Sequence, residues 1–455
     1  MRFYYIEKFN KSWSLETVAT ALRINTLYMI QKAGSGHIGA SLGCLDLLTW
    51  LYWEGMAEGD KFILSKGHAV PALYAVLIAK GIIPFEQIHN LRRIGGLPGH
   101  PHNSIPGIEA HTGSLAMGLS KARGMAIANR LNGKQNKVWV MVSDGEMQEG
   151  QFWESIGNGR HYPELRLIID FNDMQTDGPN TKRRFDIGAA LRAFGWATHQ
   201  LPDIGGHDFG AMRGIPQHIT QPLAVIAPTV KAKGVERFDE EGNGLHSGIL
   251  ESANYRRAVT AFAKGQNFNL IKYDGELPSK IEESDLITYY VRELYDLMVE
   301  NENIVVLDAD LKSDHRLEKI EHEFPDRFIE CGISEQDMVS CASGLALSGK
   351  IPVCHSFACF LTSRSNEQIY NACCEGDKII YLGSAAGWIS AKGPGMSHEA
   401  RRDKWLMKGM PNLEIMEPST PKKTALALRW AVKENQKSTY IRIRQNPAID
   451  EMLYE

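Results

Sequence analysis

Short apolar runs recur along the whole chain, each bounded by polar or turn-forming residues, and they predict buried strands. The clearest pair is 138–142 and 165–171. Strands that are apolar on both faces are typical of parallel sheets covered by helices on both sides. Roughly 26 residues lie between Gly145 and Asn172, which leaves room for a helical crossover between parallel neighbours. The pair therefore predicts the centre of a parallel α/β sheet.

The same alternation of strand-like and helix-like stretches continues on both sides of this pair. It indicates an α/β protein with two doubly wound, mostly parallel-sheet domains. Further strands are predicted at 61–65, 223–229, 304–310, 327–331, 351–355, 378–382 and 438–444. Helices are predicted at 14–32, 42–53, 69–80, 114–131 and 286–301, with another starting near Met338.

One polar stretch interrupts this alternation. It contains Gly275 and Pro278 and precedes a new helix, so we expect a linker at 266–285. The linker would separate a first domain, residues 1–265, from a second domain, residues 286–455.

Composition narrows the function classes without selecting one. The chain has 455 residues and a formal net charge of -4, which gives no reason to expect nucleic acid as a partner. No apolar run reaches the roughly 18 residues that a membrane span needs. The seven cysteines show no zinc-like spacing and favour reduced core thiols. We therefore expect a cytoplasmic protein that binds neither nucleic acid nor membrane.

Oxygen-bearing side chains stand at the ends of the two central strands. Asp144 follows the first strand and Asn172 the second. Ligands bind at the carboxyl ends of strands in such sheets. A carboxylate, an amide oxygen and a nearby carbonyl make half of an octahedral shell for Mg²⁺, which phosphate oxygens usually complete. The pattern predicts a seat for a metal-bridged diphosphate, although Asp-Gly and Asn-Asp pairs are also common in ordinary turns.

Three histidines, each in a glycine-rich loop after a regular element, are the next chemical signal. They are His37, His68 and His100. A single histidine is more often structural than catalytic, but three in equivalent settings favour one shared polar site. Gly113 and Ser114, at the start of a predicted helix, are positioned to donate backbone N–H groups to a phosphate.

Taken together, these motifs resemble the transketolase family of thiamine-diphosphate enzymes. The resemblance extends over about residues 15–447, and family members usually continue into a third, C-terminal domain that we expect this sequence to lack. The motifs of the first half occur in the family's order: 34–39, 64–68, 99–101, 112–115, 144–150 and Asn172-Asp173.

The resemblance implies roles for residues of the first domain. The metal, Mg²⁺ or alternatively Ca²⁺ or Mn²⁺, would be bound by Asp144, Asn172 and the carbonyl of Met174. Glu149 would lie at a dimer interface and couple two cofactor sites. The remaining residues would contact the cofactor, the substrate or both: His37, His68, His100, Gly113, Ser114, Leu115, Gly145 and His246.

In the second domain, the segment 332–338 resembles the family's pyrimidine-binding motif. Its glutamate, Glu335, would hydrogen-bond N1′ of the cofactor and activate it. Phe357 and Phe360 would pack around the pyrimidine, His398 would bind the ketose donor, and Arg444 would bind a substrate phosphate. Pro394 stands where the family usually has an aspartate that contacts a sugar hydroxyl, which puts the choice of donor in doubt.

The resemblance implies transfer of a two-carbon ketol unit from a ketose, expected to be phosphorylated, to an aldose. It also implies an obligatory homodimer with the sites at the subunit interface. Three alternatives stay open: a decarboxylative carboligase of the deoxyxylulose phosphate synthase kind, a fused 2-oxo acid dehydrogenase component that needs a lipoyl partner, and a non-catalytic binding protein. His37 and His398 favour ketol transfer, and the joint presence of Glu335, Asp144 and Asn172 weighs against a non-catalytic role.

Overall fold

The computed structural model describes residues 2–93, 95–176, 178, 185–235, 246–274, 286–387 and 395–444. The chain divides into two compact units, Met1–Lys280 with Ala391–Gly395, and Ile281–Ser390 with Met396–Glu455. Each unit contains a parallel sheet with helices, which confirms the predicted α/β class. None of the described helices is long and apolar enough to cross a membrane.

A five-stranded parallel sheet forms the centre of the first unit. Its order is β2-β3-β4-β6-β5. The strands of this unit are β1 (Arg2–Tyr5), β2 (Lys61–Leu64), β3 (Val138–Ser143), β4 (Leu165–Phe171), β5 (Ala197–Gln200), β6 (Leu223–Pro228) and β7 (Ile271–Asp274). Its helices are α1 (Leu15–Ala33), α2 (Ile38–Gly43), α3 (Leu45–Trp50), α4 (Val70–Ala79), α5 (Met117–Leu131), α6 (Gly150–Gly159), α7 (Ile187–Ala193), α8 (Phe209–Arg213) and α9 (Ser252–Ala263).

Successive residues of β3 show why its pattern is apolar throughout. Trp139 and Met141 pack in one apolar cluster, whereas Val138 and Val140 pack in another. Side chains alternate between the two faces of a strand, so the two clusters lie on opposite faces of the sheet. Both faces are therefore covered, as the doubly wound prediction requires.

The predicted linker contains a strand that the sequence pattern did not indicate. Residues 271–274 form β7, which pairs antiparallel with the N-terminal strand β1. Residues 275–285 lie outside the described residues, so the domain boundary stays a prediction.

The second unit has a six-stranded parallel sheet of order β12-β13-β11-β10-β8-β9. Its strands are β8 (Ile304–Asp308), β9 (Phe328–Glu330), β10 (Ile351–Phe357), β11 (Ile380–Ala386), β12 (Leu413–Met416) and β13 (Ser438–Arg444). Its helices are α10 (Leu286–Glu300), α11 (Lys312–His315), α12 (Glu318–Glu323), α13 (Glu335–Leu347), α14 (Ala358–Arg364), α15 (Asn366–Glu375), α16 (Asp403–Lys408) and α17 (Pro421–Lys433).

Three predicted helix boundaries differ from the structure. The helix predicted at 42–53 is interrupted at Cys44, which separates α2 from α3. The helix predicted to open at Ser114 begins at Met117, because Ala116 has a left-handed backbone with φ of 67°. The helix expected near Met338 begins at Glu335, one turn earlier.

Candidate active site

The carboxyl ends of β3 and β4 bring together the oxygen-bearing residues predicted to hold a metal. The backbone N–H of Asp173 donates to Asp144 Oδ2 at 2.6 Å, and that of Gly145 donates to Asp144 Oδ1 at 3.0 Å. Met174 N–H donates to Asn172 Oδ1 at 3.1 Å. The loop after β4 therefore folds back onto the end of β3, with Asp144 fully buried.

This donor set fits a hard cation. Asp144 contributes a carboxylate, Asn172 an amide oxygen and Met174 a backbone carbonyl, which are ligand types that Mg²⁺ and Ca²⁺ accept. The described residues include no group of three or more His, Cys, Asp or Glu side chains that could hold a metal ion. The seat at β3 and β4 is of another kind, because only one of its three ligands would come from those residue types.

Four histidines, from segments far apart in the sequence, form one cluster in the first unit. The ring of His37 has its centroid 5.4 Å from that of His68, 5.8 Å from His100 and 5.1 Å from His246. The centroids of His68 and His246 are 5.6 Å apart. The structure thus brings together all four histidines that the sequence assigned to this half of the site.

Backbone hydrogen bonds explain how the most distant histidine joins the cluster. Ala232 N–H donates to the Gly39 carbonyl at 3.0 Å, and Gly248 N–H donates to the Gly36 carbonyl at 2.7 Å. The segments on either side of His246 that the structure describes are therefore fastened to the loop that carries His37.

Three histidines of this cluster, His37, His68 and His246, are neutral at pH 7. Burial, followed by the neighbouring His246 and His68, lowers the pKa of His37 well below its usual value. Burial and the Lys66 ammonium do the same to the pKa of His68. Burial and Lys231 lower the pKa of His246 to about 3. Neutral imidazoles can accept as well as donate hydrogen bonds, which suits contact with hydroxyl groups and proton transfer.

Two imidazole nitrogens of the cluster are buried polar atoms with hydrogen-bonding capacity to spare. Nδ1 of His37 and Nδ1 of His246 have no hydrogen-bond partner among the described residues. Buried polar atoms are nearly always bonded in folded proteins, so such exceptions are typical of functional sites. They fit a cluster that contacts a polar ligand.

A buried ion pair that the sequence did not indicate lies beside this cluster. Lys66 Nζ is paired with Asp170, and Thr229 Oγ1 donates to the same carboxylate. Lys66 stands between β2 and His68, whereas Asp170 belongs to β4, two residues before Asn172. The pair joins the histidine side of the site to the metal side and satisfies two charges that would be costly to bury alone.

The predicted diphosphate loop, Gly113 to Leu115, precedes α5 and is anchored by Glu146. Ala116 N–H donates to Glu146 Oε1 at 2.7 Å, Ser143 N–H donates to Oε2 at 3.3 Å, and the Ser65 hydroxyl also donates to Oε1. Burial raises the pKa of this carboxyl to about 7, against the effect of these hydrogen bonds. Glu146 therefore ties the loop to the ends of β2 and β3.

Close packing on this loop also explains a glycine of the motif. A Cβ at Gly67 would lie 2.4 Å from the carbonyl oxygen of Thr112, a distance that real Cβ atoms do not show. A side chain at this position would displace the loop and the neighbouring His68. Glu149, next to the 3₁₀ turn Gly145–Gln148, is buried within the unit, and its role at a dimer interface stays a prediction.

In the second unit, Glu335 is the first residue of α13 and is only 2% exposed. Arg364 Nη1 donates to both of its carboxylate oxygens, at 2.9 and 2.8 Å. No motif indicated Arg364, because it lies 29 residues further along the chain in a segment without a pattern of its own. Only the packing of α13 against α14 brings the two side chains together.

The two predicted pyrimidine-contacting phenylalanines lie beside this pair and beside His398. The ring centroids of Phe357 and Phe360 are 6.0 Å apart, and the His398 ring is 6.3 Å and 5.0 Å from them. The Arg364 guanidinium is 5.2 Å from the centre of the Phe360 ring. Residues predicted from three separate motifs are thus contiguous in the second unit.

Arg444 lies at the end of β13, where it ion-pairs with Glu417. Arg442 and Lys404 form ion pairs with the same carboxylate, Arg442 at Oε1 and Lys404 at Oε2. Burial acts to raise the pKa of Glu417, but these three cations together lower it. The assignment of Arg444 to a substrate phosphate stays a prediction, and Pro394 lies outside the described residues.

Comparison with known families identifies both halves of the chain. Residues 14–232 match the thiamine diphosphate binding domain of transketolase, and residues 283–447 match the transketolase pyrimidine binding domain. The two matched ranges contain every metal, cofactor and substrate residue predicted above except His246, which lies between them.

Individual relatives agree with these matches. The chain is 30% identical to transketolase from Mus musculus over 467 residues, covering 95% of this chain and 74% of the relative. It is 34% identical to the 6-deoxy-6-sulfo-D-fructose transketolase subunit SqwG of Clostridium sp. (strain MSTE9) over 269 residues, covering 55% of this chain and 96% of the relative.

A solved structure supports the fold. A mutant transketolase from Pichia stipitis superposes with a TM-score of 0.52 at 18% sequence identity, covering 95% of this chain and 78% of that one. The two matched domains and the relatives together show that the chain belongs to the transketolase family.

Proposed function

We propose that this chain is a thiamine-diphosphate-dependent transferase that moves a two-carbon ketol unit from a phosphorylated ketose to an aldose. The observation that carries the proposal is the meeting of Asp144 with the Asn172–Met174 loop at the ends of β3 and β4. Such a group of oxygen ligands suits a metal-bridged diphosphate, and the motifs around it are those of the family.

Different residues of the chain bind the metal, the diphosphate and the aminopyrimidine ring. Asp144, Asn172 and the Met174 carbonyl hold Mg²⁺, and the Gly113–Leu115 loop receives the diphosphate. When bound, thiamine diphosphate would supply the carbon nucleophile that the protein itself lacks. Glu335 holds the aminopyrimidine end at N1′, and Phe357 and Phe360 pack against it.

The histidines act on the sugar. His37, His68 and His246, as neutral imidazoles, and His100 beside them can bind hydroxyl groups and pass a proton at the reacting carbon. His398 binds the donor ketose, and Arg444 binds its phosphate as a bidentate fork once it exchanges its carboxylate partner.

The decisive experiment is product analysis. Purified chain with thiamine diphosphate and Mg²⁺ is incubated with a ketose phosphate and an aldose acceptor, or with pyruvate and the same acceptor, and the products are identified by mass spectrometry. We expect a product two carbons longer than the acceptor from the ketose phosphate and carbon dioxide release from neither mixture. Decarboxylative product from pyruvate would instead favour the deoxyxylulose phosphate synthase kind of reaction.

We extend the proposal to a homodimer in which each site takes residues from both copies. Mixed Asp144→Ala and Glu335→Gln chains, refolded or co-expressed, then regain about a quarter of wild-type turnover, because half of the dimers are mixed and each has one intact site. If each site belonged to a single copy, no mixture of these two variants would recover activity.

A further inference from the structure

Arg364 is the charged residue that the tertiary structure adds to the second unit's site. Its Nη1 lies 2.9 and 2.8 Å from the two oxygens of Glu335. The side chains of Arg364 and Glu335 are 13% and 3% exposed. A pair so withdrawn from water is screened little by salt, and either member would be costly to bury without the other.

Both charges stand at favourable helix ends. Glu335 begins α13, where the helix macrodipole favours a negative charge, and Arg364 ends α14, where it favours a positive one. The helices therefore place the two side chains facing each other before any ligand binds.

The surroundings of the pair restrict it further. The guanidinium is 5.2 Å from the centre of the Phe360 ring, a cation–π distance. The neighbouring Cys359 thiol stays neutral, because burial raises its pKa to about 12. Arg364 thus contacts both the Glu335 carboxylate and the Phe360 ring. A shift of either group would therefore move the guanidinium that the other contacts.

The Glu335 carboxylate can accept further hydrogen bonds while it is bonded to Arg364. Each carboxylate oxygen has two lone pairs, and one hydrogen bond from Arg364 uses only one of them. A protonated ring nitrogen can therefore donate to Glu335 while the guanidinium keeps its contacts.

We propose that Arg364 is a positioning residue, which fixes the orientation of the Glu335 carboxylate toward the aminopyrimidine and does not itself touch the reacting atoms. The inference rests on the proposed function of Glu335. Reactive groups must be held within roughly 0.5 Å of the productive geometry, and two hydrogen bonds from one planar group achieve that for a carboxylate.

The experiment compares Arg364→Gln, Arg364→Lys, Glu335→Gln and the double variant Arg364→Gln/Glu335→Gln. We expect Arg364→Gln to lower kcat about 100-fold, the size of loss that a misplacement of about 1 Å causes, with KM and cofactor affinity by calorimetry changed less than about threefold. Arg364→Lys should recover part of the loss. The double variant should be no slower than Glu335→Gln, because Arg364 acts through that carboxylate.

A matched control is Arg429→Gln, which removes partly exposed ion pairs with Glu293 and Glu300 in the same unit and should leave kcat unchanged. Thermal unfolding adds a readout that needs no turnover. Arg364→Gln should lower Tm, since the buried Glu335 carboxyl loses its partner, and the further loss caused by Arg364→Gln should be smaller in the Glu335→Gln background.

The outcomes separate this inference from the proposed function. If Arg364→Gln turns over as fast as the wild-type chain, the role of Arg364 is overturned while the proposed function stands. The same holds if Arg364→Gln lowers kcat by an equal factor in the wild-type and Glu335→Gln backgrounds. Absence of thiamine diphosphate binding by the wild-type chain overturns the proposed function and the inference with it. If Arg364→Gln does not fold, Arg364→Lys decides, because it keeps the charge and loses only the planar guanidinium.

Discussion

The histidine cluster of the first unit and the Glu335–Arg364 pair of the second unit show two opposite environments for buried ionisable groups. In the first unit, His37, His68 and His246 are buried with cations and other imidazoles as neighbours, so their pKa values fall and they are neutral. In the second unit, Glu335 is buried but faces Arg364 across two hydrogen bonds. Burial neutralises a group that has no counter-charge, whereas a well-placed counter-charge preserves the ionised form.

Other carboxyl groups show the same contrast between groups with and without a counter-charge, and here the paired group lies in the first unit and the unpaired one in the second. Glu330 has one buried oxygen without a partner among the described residues, and burial together with Asp308 raises its pKa to about 8. Asp170, by contrast, shares a buried contact with Lys66. Counter-charges are therefore supplied to some buried carboxyl groups, such as Asp170 and Glu335, and not to others, such as Glu330.

The largest expected effect tests the charged side of this comparison. Glu335→Gln should reduce turnover about 10³-fold, the scale of loss on removing a positioned acid–base group, while the fold is kept because glutamine still accepts from Arg364. Turnover with a ketose phosphate donor, together with circular dichroism, checks this. Turnover near that of the wild-type chain would show that Glu335 is not the activating group.

The next prediction concerns the metal seat of the first unit. Asp144→Ala should weaken Mg²⁺-dependent thiamine diphosphate binding at least about 100-fold, since loss even of an outer-shell partner commonly costs 10- to 100-fold. Isothermal titration calorimetry with and without Mg²⁺ measures it. Asp173→Ala, which keeps the backbone N–H that bonds Asp144, is the matched control, and an unchanged affinity in Asp144→Ala would remove the seat from this position.

A smaller effect tests the neutral side of the comparison. Because the pKa of His246 is lower in the folded chain than the usual value near 6.5, the unfolded chain binds more protons below that pH. The stability associated with this residue is present above pH 6.5 and is lost as pH falls toward about 3. His246→Gln should therefore reduce the fall in Tm between pH 7 and pH 5 by about 3 °C.

The exposed His322→Gln is the control for that measurement and should leave the slope of Tm against pH as it is. If His246→Gln kept the full slope of Tm against pH, the fall in Tm toward low pH would have to come from other groups of the chain.

The smallest effect is expected at Glu146. Its pKa is raised to about 7 in the folded chain, so its contribution to stability is complete below about 4.5 and is lost as pH rises through about 7. Glu146→Gln should thus be more stable relative to wild type at pH 8 than at pH 5, by about 2 °C in Tm. Calorimetric unfolding at the two pH values checks the sign, and the reverse order would indicate that Ser65 and the backbone donors keep this carboxyl ionised.

Much of the first unit's site was predictable because its signals are local. A polar residue just past an apolar strand, such as Asp144 or Asn172, can be found from the strand pattern alone. The glycine-rich loops around His37 and His68 are equally local. Family motifs supplied Glu335 and the two phenylalanines, which the structure brings beside His398.

The features that the sequence did not predict correctly, an ion pair, a strand and a helix start, each have a physical reason. Lys66 and Asp170 are paired across 104 residues, and no pattern of apolar positions indicates which charges will meet inside a sheet. The strand β7 was read as linker because its partner β1 lies at the other end of the unit. The start of α5 was placed too early because the left-handed backbone of Ala116 depends on its bond to Glu146.

Sequence alone determined the α/β class and the strands at the centres of both sheets, since periodicity is a property of neighbouring residues. The residues that carry chemistry were predicted from strand-end polarity and from the family motifs, and those roles stay predictions. Tertiary structure decided which of those residues have a counter-charge. It set neutral histidines together in one unit and placed Arg364 on Glu335 in the other, because electrostatic environment depends on distances and burial that only the packed chain defines.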